Sequence, residues 1–140
     1  MKGKCLCGSV SFEISGNLPN MYQCHCSLCQ KQSGAGSNAA SIIFKHNFNW
    51  LSDTHKIKQW KKESGFNSHF CEGCGCPVPN EIGSQYMWIP FGLLNKPNTK
   101  VVANLCLSAK PDWSTVESTA RDYQEMPEDL EKFIEYLNSI

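Results

Sequence analysis

The stretch "YQCHCSLCQKQSGAG" (22–36) places Cys24, Cys26 and Cys29 within six positions. Three thiols so close cannot all pair with one another, since a disulfide takes two and a closed tetrahedral zinc site takes four. Outward from this stretch the other cysteines are grouped too. Cys5-x-Cys7 precedes it, Cys71-x2-Cys74-x-Cys76 follows it, and Cys106 stands alone, making nine in 140 residues. An oxidised secreted domain would spread an even number of half-cystines more uniformly. Clustered pairs, in a chain that opens "MKGKCLCGSVSF" without an apolar leader, read as metal ligands in a reducing, cytoplasmic setting.

Zinc prefers thiolate sulfur, and "FCEGCG" (70–75) has the form of a zinc knuckle. Cys71 and Cys74 straddle a turn, and Gly75 can take the positive φ that lets backbone amides approach the sulfurs. Two more ligands are needed, from "CLCG" (5–8) or from part of the 24–29 group. If Cys5 and Cys7 supply them, the site is structural and contributes folding free energy outright. Cys24, Cys26 and Cys29 then remain as three ligands with one open position, the arrangement of a catalytic zinc. Such a centre can activate a small thiol or a water. With Cys76 or a histidine in the fourth position, the second site would instead be closed and inert.

The rest of the chain reads as short strands. "GSVSFEIS" (8–15) sets Val10, Phe12 and Ile14 against polar neighbours with period two. Strands are also expected over 37–45, 55–60, 66–71, 85–91 and 100–107, with turn signals between them. A short helix is expected from Ser27 to Gly34. A firmer one covers "PEDLEKFIEYLNSI" (127–140), with Pro127 at the first helical position and Leu130, Phe133, Ile134 and Leu137 as an apolar stripe. The pattern predicts an all-β sandwich or barrel-like fold with a C-terminal helix, in one domain over 1–140. Acidic and basic residues balance at 13 each, which argues against a nucleic-acid partner, and no apolar run is long enough to span a bilayer.

"KCLCGSVSFE", "CHCSLCQKQSGA" and "HFCEGCGCPV", followed by "AKPDW" (109–113), resemble the glutathione-dependent formaldehyde-activating (GFA) family. The resemblance covers about residues 3–115 and includes all seven cysteines of the pattern. It implies a zinc-bound β-sandwich of short antiparallel strands holding two zinc ions per chain. By position, Cys5, Cys7, Cys71 and Cys74 would hold a structural zinc, and Cys24, Cys26 and Cys29 a catalytic one. The implied activity is that of a carbon–sulfur lyase joining a thiol, glutathione above all, to formaldehyde or reversing that step. Lys31 and the backbone at Gly34 match the segment expected to hold a carboxylate of glutathione.

Cys76 and Asn104 depart from the family pattern, Asn104 standing where the last strand would carry a histidine. Cys76 is either a fourth ligand to the second zinc or a small buried thiol, and Cys106 reads as core. His25, between two ligands, reads as a supporting donor or a solvent-facing ring, and His46, His55 and His69 as surface or packing residues. The basic run "HKIKQWKKE" (55–63) reads as the wet face of a strand. Beside the lyase stand two other readings: a zinc-stabilised protein-binding module with both metals structural, and a sulfoxide reductase using Cys76 or Cys106.

Overall fold

The computed structural model describes residues 1–139. Eleven strands and two helices follow one another in it. They are β1 (Lys2–Lys4), β2 (Ser11–Ile14), β3 (Met21–Cys24), α1 (Ser27–Ser33), β4 (Asn38–Phe44), β5 (Phe48–Trp50), β6 (Ile57–Lys61), β7 (Asn67–Cys71), β8 (Asn80–Ile82), β9 (Tyr86–Pro90), β10 (Val101–Leu105), β11 (Arg121–Asp122) and α2 (Leu130–Asn138).

The central layer is a six-stranded sheet in the order β11-β10-β3-β4-β9-β8. One of its two central strands, β4, reads "NAASIIF" because both of its faces are covered. On one face Ala40 and Ile42 meet Tyr22, Leu105 and the α2 side chains Phe133, Ile134 and Leu137. On the other, Ile43 joins Met87, Ile89, Phe12 and Ile14, beneath the antiparallel sheet β1-β2-β5. The hairpin β6–β7 forms a third, two-stranded sheet. The architecture is therefore all-β with one terminal helix laid across the central sheet.

All six expected strands occur, five of them within tighter bounds and β6 shifted to end one residue later, at Lys61. The first begins only at Ser11, because residues 5–10 fold into a turn closed by the Cys5 N–H on the Val10 carbonyl at 2.9 Å, with Gly8 at φ +81°. The antiparallel expectation needs one correction. β10 pairs with both β3 and β11 in parallel, so the central sheet is mixed. Helix α2 also starts later than Pro127. Asp129 is its N-cap, its side chain accepting the Lys132 N–H at 3.1 Å, and residue 140 of the expected helix lies outside the described residues.

Candidate metal centres

Cys5 opens the turn after β1, Cys7 follows in the same turn, and Cys71 and Cys74 bracket the turn after β7. The four Sγ atoms lie within 4.8 Å of one another. Cys7 Sγ stands 3.7 Å from both Cys5 Sγ and Cys71 Sγ. A zinc–sulfur bond of about 2.3 Å puts tetrahedral sulfurs about 3.8 Å apart, so the spacing and the all-thiol donor set fit that ion. The turns that make this possible depend on glycine. Gly75, at φ +74°, donates its N–H to the Cys71 carbonyl at 2.7 Å. Cys7 is exposed, and the Ser9 hydroxyl beside its sulfur, together with the Ser9 backbone, draws its pKa down to about 6.

The second group is built where β3 runs into α1. Cys24 ends the strand, Cys26 is the N-cap of α1, and Cys29 lies in its first turn; their sulfurs also lie within 4.8 Å of one another. Cys26 Sγ accepts the Cys29 N–H at 3.4 Å, so one ligand caps the helix that carries another. Gly34 closes that helix at φ +68°. The thiol of Cys29 donates to Cys24 and pulls its pKa down to about 5, while the same bond and burial drive Cys29 far up. The one hydrogen bond thus moves the two thiols in opposite directions, Cys24 down and Cys29 up. Cys29 borders a cavity of about 320 Å³ that is otherwise walled by Gln32, Asn67, Asn80, Glu81 and Trp88, among others.

Several expected residues fall elsewhere. Cys76 packs with the first group, among Cys5, Cys71, Val10 and Val78, and its thiol donates to the Pro77 carbonyl at 3.4 Å. It does not complete the Cys24–Cys26–Cys29 set. The thiol beside Cys24 is that of Cys106, buried in the same cluster; desolvation, then the Cys24 charge, push its pKa up to about 12. Lys31 faces a neighbouring groove of about 290 Å³ with Lys62, Trp60 and Phe66, and not the cavity at Cys29. Gly34 has no free amide for a carboxylate, because its N–H donates to the Gln30 carbonyl at 2.8 Å. His25 is buried, which removes the solvent-facing alternative, and its Nε2 lies 2.9 Å from Asn104 Oδ1. His46 stacks on Phe44, and His55 pairs with Asp53.

The family model described as glutathione-dependent formaldehyde-activating enzyme matches residues 1–106. The chain belongs to that family. Two relatives bear the same family name as a provisional one. A Halomonas elongata protein is 27% identical over 134 residues, covering 87% of this chain and 84% of its own. A Fusarium vanettenii protein is 24% identical, covering 86% of this chain and 60% of its own. A crystal structure of a Rhodobacter sphaeroides protein superposes with a TM-score of 0.57 at 18% identity, over 73% of this chain and all of that one. That likeness is one of fold. The GFA family model ends at Cys106, so β11 and α2 lie beyond it.

Proposed function

We propose that this GFA-family chain is a zinc-dependent carbon–sulfur lyase that adds a small thiol, glutathione first among candidates, to formaldehyde or releases it. The observation that carries this reading is the three-thiol group, one ligand short of a closed site, with Cys29 on the wall of a cavity. The family match and the names of the relatives point the same way. A zinc ion held by these thiolates would keep a further thiol deprotonated near neutral pH. The four-thiol group would hold a second, structural zinc.

The chain's own contribution is to place the reactants. Cys24, Cys26 and Cys29 supply the sulfur donors on one short turn. Gln32, Asn67 and Asn80 offer amide groups to a peptide backbone, and Trp88, fixed by its Nε1–H on the Tyr22 hydroxyl at 3.1 Å, forms an aromatic wall. In the addition, the thiolate sulfur forms a bond to the aldehyde carbon. The carbonyl π pair moves to oxygen, which then takes a proton to give the hydroxymethyl thioether.

Titrating glutathione into the cobalt-substituted protein tests the reading. A new thiolate-to-metal charge-transfer contribution is expected at millimolar glutathione, and an unchanged spectrum would remove glutathione as the substrate. Cys26→Ser is expected to fold, to bind one metal fewer, and to lose activity by more than the roughly 10–100-fold typical of groups that merely support a ligand.

A further inference from the structure

His25 and Asn104 are 1% and 0% exposed, two polar side chains enclosed beneath the turn that carries the three thiols. Asn104 lies on β10, which runs parallel to β3 with Asn104 opposite Gln23 and Leu105 opposite Cys24. Its Nδ2 donates to the Glu117 carbonyl at 3.0 Å and to Asp122 Oδ1 at 2.9 Å, which engages both of its protons. Only Oδ1 faces His25, 2.9 Å from Nε2. An amide oxygen accepts and never donates, so Nε2 must carry the ring proton. A flipped amide would set its oxygen against a carbonyl and a carboxylate, so the orientation is not interchangeable.

Asp122 is pinned in turn. Ser118 Oγ donates to its Oδ2 at 2.6 Å, and the Thr119 N–H and Oγ1 donate to Oδ1 at 3.1 and 2.9 Å. The backbone of His25 is equally fixed, its N–H on the Leu105 carbonyl at 2.9 Å and its carbonyl accepting Gln30 Nε2 at 2.7 Å. Nδ1 is enclosed and has no partner among the described residues.

We propose that the chain Asp122–Asn104–His25 locks His25 in its Nε2–H tautomer and thereby sets the placement of the flanking Cys24 and Cys26. His25 and Asn104 are positioning residues of the three-thiol centre. The clamp is supplied from residues 117–122, beyond the portion that the family model matches. The inference rests on reading the three thiols as a metal site, and not on which reaction that site performs.

Nitrogen-15 NMR of the imidazole ring tests the tautomer directly. In its neutral form the His25 ring is expected to show a protonated Nε2 and an unprotonated Nδ1; the reverse assignment overturns the proposal. Cobalt titration tests the positioning. His25→Gln, which sets an amide N–H where Nε2 stands, is expected to keep cobalt affinity at the second site within about 3-fold, whereas His25→Leu weakens it about 10–100-fold. The four-thiol site should bind unchanged in both. Equal affinities for the two variants would overturn the role. Should His25→Leu fail to fold, Asp122→Ala acts at the exposed end of the chain, and an unaltered second-site affinity there would be equally decisive. A chain that binds no metal at Cys24, Cys26 and Cys29 defeats the proposed function, while the ring measurement still decides the tautomer.

Discussion

A single proton separates Cys24 from Cys29. The sulfur of Cys24 is anionic well below neutrality, at about 5, because the Cys29 thiol donates to it. Cys29 is displaced upward by the same bond, so it still holds its proton when the pH is neutral. Ligation by three thiolates must expel that proton, and metal binding therefore gains from rising pH. Second-site affinity is expected to climb about tenfold per pH unit for each proton released across the neutral range. Competition against a chromophoric chelator at several pH values measures the slope, and a flat profile would contradict the assignment of the proton to Cys29. At this scale the sequence was informative about spacing and silent about orientation. C-x-C and C-x2-C spacing constrains where sulfurs go, and both thiol groups assemble from the residues so spaced. Nothing in "QKQSG" tells that Lys31 turns away from the cavity. That outcome depends on how α1 lies beside the β6–β7 hairpin, where Gln32 Nε2 donates to Ser68 Oγ at 3.5 Å.

Among the elements, α2 has the clearest energetic role. Phe133 is buried between the rings of Tyr22 and Tyr123, at centroid distances of 5.6 and 5.9 Å. Phe133→Ala is expected to cost about 3–5 kcal/mol, read as a lowered urea midpoint. A loss below about 1 kcal/mol would mean that the helix barely supports the central sheet. The helix was legible because its stripe of four apolar residues, Leu130, Phe133, Ile134 and Leu137, repeats at helical spacing over about two turns. Its start was not, since Pro127 and Asp129 both suit an N-terminus and only the cap bond to Lys132 separates them. The strands β1, β3, β5, β8 and β11 went unread for a simpler reason. They are two to four residues long, too short for an alternation to declare itself.

For the molecule as a whole, the two thiol groups do different mechanical work. The four-thiol group ties the β1–β2 turn to the end of β7, across more than sixty residues of sequence. The three-thiol group lies within one continuous stretch and closes no long loop. A chelator is therefore expected to remove metal in two unequal stages. The first should leave circular dichroism intact, and the second should coincide with unfolding, because a metal at the four-thiol group would cross-link distant segments and couple its binding to the fold. Native mass spectrometry alongside far-ultraviolet dichroism follows both, and unfolding on loss of the first ion would reverse the assignment. The parallel pairing of β3 with β10 escaped the sequence because register between distant strands is fixed by tertiary packing. The Asn104–His25 bond, which depends on that pairing, escaped with it.

The sheet borders carry a last consequence. The outer strands of the two larger sheets, β11, β8, β1 and β5, are two or three residues each, and offer few unpaired backbone groups to a second copy. The longer borders belong to the two five-residue strands of the β6–β7 hairpin, and on β6 Lys58 and Lys61 stand exposed. Lys58 is held by Glu72 at 3.3 Å, which leaves Lys61 to set like charge against a second copy approaching at that edge, a pairing that such a charge disfavours.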